Sequence, residues 1–382
     1  MEMPRIVRTV LRSYIFYFFC LLAVYFIFLM RSGTHAAAPI EAETLMAAAR
    51  SYARAPEAAE GPAAGAAETG PASGAPLQNE HAYEVQIAHL FASGEYEQLE
   101  QEARDNRASK ARLAGGVWRL FDYYDALSFP PTRPQTEADW KAHIAAVKHW
   151  NALHPESATA RMVLAGSYIN YAWFARGHGF SDSVTQEGWE LFRERFELAK
   201  VALLEAAKLK DKCPYWFELV QMTALAEGWE KPVAKELFEK AAAFEPTYYH
   251  FYREYANYLQ TKWYGDEGET QDFAEQISAK VGGDDGDMIY FEIATLVGCQ
   301  CQTERVSLGG MSWPRVQAGY LVLWQKYGTS NVKANRFALL AYSSDDKRAA
   351  RQAFSSIGEN WDNTVWKNKD TFDSVKAWAA SE

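Results

Sequence analysis

The chain has 382 residues, 48 % of them hydrophobic and 14 % aromatic, which is enough for one large or two medium cores and excludes a wholly disordered chain. Its formal net charge of −10 and the absence of a long Lys/Arg run exclude phosphate-backbone gripping, so no nucleic-acid partner is expected. Four cysteines, one of them inside an apolar stretch (Cys20), are too few for a disulfide scaffold.

Residues 1–13 carry Arg5, Arg8 and Arg12 and precede an uncharged apolar run, 14–30. Seventeen helical residues span roughly 25 Å, close to the ~30 Å hydrocarbon core, and Val10, Leu11 and snorkelling arginines extend the reach. The excess of arginine before the run predicts a signal anchor with residues 1–13 inside. A cleaved signal peptide is the rival reading, because Ala36-Ala37-Ala38 resembles a processing site. The length of the run, its aromatic content and Pro39 directly after the alanines favour retention.

Residues 31–79 are dominated by Ala, Gly, Pro and Glu. Most of this stretch lacks an apolar period and reads as a flexible linker, with a short helix over 40–54. Its length gives a tether on the order of 40 Å.

From residue 80 to 382 the spacing of apolar residues predicts helical hairpins. Val85, Ala88, Leu90 and Phe91 are answered across Gly94 by Tyr96, Leu99 and Ala103. Helices follow over 113–127 and 140–153, the second with Trp140, Ile144, Val147 and Trp150 on one stripe. Ser157 is a candidate N-cap for 162–174, and Arg176-Gly177-His178-Gly179 ends that helix at glycine. Ser183 and Gln186 suggest a capping box before a long helix bearing Trp189, Phe192, Phe196, Ala199, Leu203 and Ala206. Pro214 and Pro232 occupy first-turn positions. Further helices are expected near 249–259, 273–281, 289–297, 316–327, 332–342 and 349–357. A capping helix is expected over 361–380.

Pro214 and Pro246 are 32 residues apart, and the turn after Ala226 and the turn before Asp266 are separated by a spacing in the upper thirties. Helix pairs at this period, punctuated by proline and with no strand run, predict an all-α, tetratricopeptide-like helical-hairpin solenoid. The residues that carry a further likeness are Ala175-Arg176-Gly177-His178-Gly179, Gly188-Trp189, Cys213-Pro214-x-Trp216, Gly228-Trp229, Glu245-Pro246-x-Tyr248-Tyr249 and Lys262-Trp263-Tyr264-Gly265. With Asn335-x-Phe337-Ala338 and Phe354-x-x-Ile357-Gly358, they resemble a family of bacterial tetratricopeptide-like proteins with no assigned activity, over residues 80 to about 366. The resemblance implies a bacterial protein, and the N-terminal anchor a cell-envelope setting. Together they imply an inner-membrane protein whose repeat domain is periplasmic.

Candidate chemistry is sparse. Arg176 and His178, with Glu187, Trp189 and Trp216 nearby in sequence, are the candidate ligand- or partner-binding residues, since a cation and an imidazole before a helix start suit an anion. A helix-capping loop is the plainer explanation. The Trp216, Trp229, Tyr248, Tyr249, Tyr252 and Trp263 set suits a groove or, more simply, a core. Cys299-x-Cys301 lacks the ligand count of a metal site, and 282–287 lacks the closing glutamate of a calcium loop. Nucleophile and nucleotide motifs are absent, and no cofactor is expected. The sequence therefore leads to a membrane-anchored interaction scaffold for a protein or peptide partner. The alternative is an envelope enzyme or small-ligand binder near the Arg176–Gly179 loop.

Overall fold

The computed structural model describes residues 39–54, 80–177, 181–298, 308–328 and 330–381. The apolar run 14–30, most of the expected linker, His178 and the Cys299–Cys301 pair lie outside the described residues. Glu41–Glu382 form one compact unit; of the other, Met1–Ile40, only residues 39 and 40 are described. Among the described residues no helix is long and apolar enough to cross a membrane.

The described residues form α-helices, two 3-10 turns and one isolated antiparallel bridge, with no strand. In chain order they are α1 (Ala42–Tyr52), α2 (Glu80–Ala92), α3 (Tyr96–Ser109), α4 (Arg119–Leu127), α5 (Glu137–Leu153), α6 (Ala158–Arg176), α7 (Gln186–Lys208) and α8 (Pro214–Glu227). Then come α9 (Lys231–Phe244), α10 (His250–Tyr258), α11 (Glu269–Val281), α12 (Gly283–Gly298), α13 (Trp313–Tyr327), α14 (Asn331–Ser343), α15 (Lys347–Ile357) and α16 (Lys369–Ala380).

Neighbouring helices pack as pairs: α6 on α7, α8 on α9, α10 on α11, α12 on α13 and α14 on α15. A second set of contacts skips one helix: α6 to α8, α8 to α10, α10 to α12, α12 to α14 and α14 to α16. The even-numbered helices thus share one layer. Close approach is built in by glycine: a Cβ on Gly319 of α13 would come within 2.1 Å of the Asp287 carbonyl oxygen at α12. Gly265 is needed for the same reason, because a Cβ there would lie 1.8 Å from the Leu259 carbonyl oxygen. That explains the glycine ending Lys262-Trp263-Tyr264-Gly265.

Several local expectations hold. Ser157 caps α6, its side chain accepting from the Ala160 N–H at 2.9 Å. Pro214 and Pro232 sit in the first turns of α8 and α9. Trp216, Trp229, Tyr248, Tyr249 and Tyr252 are buried and belong to the core, while Trp263 packs against it half-buried.

Others are corrected. The helix expected from Leu113 starts at Arg119, because Gly115 and Gly116 both take positive φ and turn the chain first. Thr185, not Ser183, caps α7, accepting from the Gly188 N–H at 3.0 Å. The final helix begins at Lys369 rather than 361, where the Asn368 side chain accepts from the Thr371 N–H.

The largest revision concerns 31–79. The short helix expected there is α1, and it is part of the packed body. Leu45, Met46, Ala49 and Tyr52, at helical spacing, are at most 2 % exposed. They pack against α7, α8 and α9. The apolar stripe is short, but its burial removes it from the tether.

Candidate functional site

Arg176 ends α6, and its guanidinium lies between two indoles, 5.5 Å from the Trp173 ring and 5.3 Å from that of Trp189. It also donates to the Gly177 carbonyl at 3.2 Å. Gly177 takes φ +73° with open space where a Cβ would be, so the glycine serves the turn. Glu187 is exposed on the first turn of α7 and Trp189 is half-buried. The structure therefore brings Arg176 and Trp189 together. Trp216 is placed elsewhere: it is fully buried, stacks on Tyr52 at 4.4 Å and donates to the Leu203 carbonyl at 2.9 Å. A side chain with no surface cannot meet a ligand from solvent, so Trp216 is a core residue.

A second polar assembly, not singled out by sequence, lies between α4, α8 and α10. Glu218 on α8 is 3 % exposed and accepts from the Tyr248 hydroxyl at 2.6 Å. Its other oxygen is 3.8 Å from His250 Nδ1. The His250 ring stacks on Phe121 at 3.8 Å. Asp125 and Glu254, on α4 and α10, keep part of their surface open while protein packs around them.

Burial sets the protonation here. It pushes Glu218 well above the usual carboxylate range, reinforced by the negative charge of Glu254. Burial raises Glu254 as well, and raises Asp125 to about 6 with help from Glu84. His250 is driven well below its ordinary value by burial, then by Lys333, Arg253 and Arg112. Burial thus favours the protonated form of Glu218 and the neutral form of His250. No serine or cysteine nucleophile is hydrogen-bonded to His250 or Glu218 among the contacts that define the assembly in the described residues.

Further along the same helix layer, Glu292 on α12 and Lys333 on α14 form a buried pair at 2.5 Å. Burial alone would raise Glu292, but Lys333 and Arg253 outweigh it and hold the carboxyl below its usual value. Arg253 on α10 reaches the same place, donating to the Glu292 carbonyl at 2.9 Å and the Thr295 hydroxyl at 2.7 Å. One polar network therefore spans α10, α12 and α14.

Among the described residues, no three His, Cys, Asp or Glu side chains are arranged to hold a metal. Cys213 is a buried free thiol, raised by burial. The 282–287 segment ends α11 and starts α12; Asp285 accepts from the Tyr249 hydroxyl at 3.0 Å and Asp284 pairs with Lys326 at 3.3 Å. Turn and helix start, rather than a cation loop, account for those aspartates. The sequence signal for the missed polar assembly is a lone charge inside an apolar helix run, as in Trp216-Phe217-Glu218-Leu219-Val220 and Ile289-Tyr290-Phe291-Glu292-Ile293. Comparison with protein-family models, with curated proteins and with solved structures gave no match.

Proposed function

We propose that this chain is a membrane-anchored, tetratricopeptide-like interaction scaffold of a bacterial envelope, which holds a protein or peptide partner on the face of its even-numbered helices. The observation that carries the reading is the double contact pattern, each hairpin closed on itself and stacked on the next through α6, α8, α10, α12, α14 and α16. Such stacking supplies an extended recognition surface without any catalytic constellation. The likeness to the bacterial tetratricopeptide-like family points the same way.

In this reading residues 14–30 are the anchor, and the docking of α1 shortens the tether. Residues 31–41, eleven in number, separate the apolar run from α1. Eleven residues reach at most about 40 Å at full stretch.

The test is photocrosslinking in the cell envelope with the full-length chain. A photoreactive residue replaces Asn257, on the His250 and Glu254 side of α10, or Ser355, exposed on α15. The scaffold reading expects a reproducible protein adduct from position 257 and none from 355. Absence of adducts at 257, or the same adducts at both, counts against it.

A further inference from the structure

The cleft between α1 and the end of α7 carries positive charge only. It holds about 840 Å³, and its walls include Ser51 and Arg54 on the α1 side and Leu204, Ala207, Lys208 and Lys212 on the α7 side. Among the described residues no carboxylate lines it, in a chain whose formal net charge is −10. A volume of that order suits a small molecule rather than a single ion.

The three cations are held differently. Lys212 is half-buried, its ammonium 4.6 Å from the centre of the Tyr52 ring. It donates to the Ala207 and Leu209 carbonyls at 2.8 and 2.7 Å, and so answers two carbonyls at the end of α7. An ammonium has three N–H donors, so one remains. The Arg54 Nε donates to the Arg50 carbonyl at 2.9 Å, which leaves the outer edge of the guanidinium with both terminal nitrogens. That edge is the fork that takes two oxygens of an anion. Lys208 is exposed and, like Arg54, makes no ion pair with a described residue.

A basic residue near a helix C-terminus complements its dipole, which accounts for Lys208 or Lys212 singly. Three cations on one cleft with no acid exceed that need. Burial also holds Lys212 below its ordinary value, with Asp211 opposing in part. A bound anion would offset that desolvation.

We propose that this cleft binds a phosphate monoester, its phosphate held by Arg54, Lys208 and Lys212 and its apolar substituent laid on Leu204 and Ala207. Three phosphate oxygens suit three cations, whereas a carboxylate has two. Ser51, exposed on α1, offers a hydroxyl to the same oxygens. The site uses α1 and α7 and not the even-numbered helices assigned to the partner, so either reading can fail alone.

Isothermal titration calorimetry of the full-length chain in a nonionic detergent tests it. The probes are phenyl phosphate, a soluble ester, and dihexanoylphosphatidate, which carries the same monoester on a lipid. Benzyl alcohol is the uncharged control. Saturable binding of either ester, one molecule per chain and absent for benzyl alcohol, is expected, and the tighter ester identifies the source as soluble or lipid. Arg54→Gln and Lys208→Gln should each weaken it about tenfold, the size of one lost charge-assisted hydrogen bond. Lys235→Gln, which removes an exposed charge on α9, should leave it within about twofold. A second measurement needs no variant: the bound ester should protect Lys208 and Lys212 of the parent from acetylation, read by mass spectrometry, and leave Lys235 reactive. No binding of either ester, an affinity unchanged in both Arg54→Gln and Lys208→Gln, or equal protection at all three lysines overturns the proposal.

Discussion

Replacing Lys333 by methionine probes the joint between α12 and α14. Lys333 and Glu292 are each 7 % exposed, and the ammonium sits 2.5 Å from both carboxylate oxygens. Lys333→Met keeps the side-chain volume but strands Glu292 as a buried charge. Removing one partner of such a pair typically costs about 3–5 kcal/mol. Arg253 remains 3.9 Å from Glu292 and compensates in part, so the lower end, about 3 kcal/mol, is expected. Glu292→Gln should cost a similar amount, since Lys333 is already held below its ordinary value by burial. Glu292→Leu/Lys333→Met together should fall within about 1 kcal/mol of the parent, because two apolar groups need no solvent. Urea unfolding followed by circular dichroism, read as a double-mutant cycle, measures the coupling. A Lys333→Met protein within about 0.5 kcal/mol of the parent would refute the burial of this pair and with it the close stacking of α12 on α14.

Trp216→Ala should destabilise the body by about 3–5 kcal/mol in urea unfolding, since a fully buried indole is lost. Tyr52→Phe keeps the stacking but leaves the Cys213 N–H without its acceptor, for a loss of about 1–3 kcal/mol. Gly319→Ala should lower the melting temperature by pushing α13 off Asp287, while Gly177→Ala, which meets nothing, acts only through its positive φ and costs less. For pH, the Asp125 carboxyl is raised to about 6 in the fold. Its stabilising contribution is complete below the ordinary carboxylate value near 4 and is lost as pH rises towards 6. His143 runs the other way: burial lowers it to about 4, so its contribution is present above about 6.5 and is lost as pH falls towards 4. Thermal melts between pH 4 and 7 should therefore show Asp125→Asn gaining stability at the upper end. A variant with the parent's pH profile would contradict the burial of that carboxyl.

Local chemistry was the legible part of the sequence. Ser157, Pro214, Pro232 and the apolar stripe of α7 each follow from the geometry of one helix, and all appear where expected. Partners distant in sequence were not legible. Glu218 reads as an ordinary helix glutamate until Tyr248 and His250 are folded over it. Tyr52 reads as one aromatic at the edge of an Ala-rich stretch, and nothing local says that Trp216 waits for it. The same aromatic character made Trp216 a candidate for binding, though in the fold it is spent on Tyr52 and the Leu203 carbonyl. Arg176 and Trp189 were recovered as neighbours because they lie at the end of α6 and the first turn of α7, two helices that pack on each other. The α7 cap shifted from Ser183 to Thr185, two hydroxyl side chains that lie close to one helix start.

The hairpin stack itself is tested most directly by native-state hydrogen exchange on the full-length chain with and without α16. In an array whose units touch only their neighbours, deleting 369–382 removes the cover of α14 and α15 first. Exchange should rise strongly over 331–357, weakly over 283–327 and not at all over 158–208. A uniform rise through every helix, or no change over 331–357, would contradict the account.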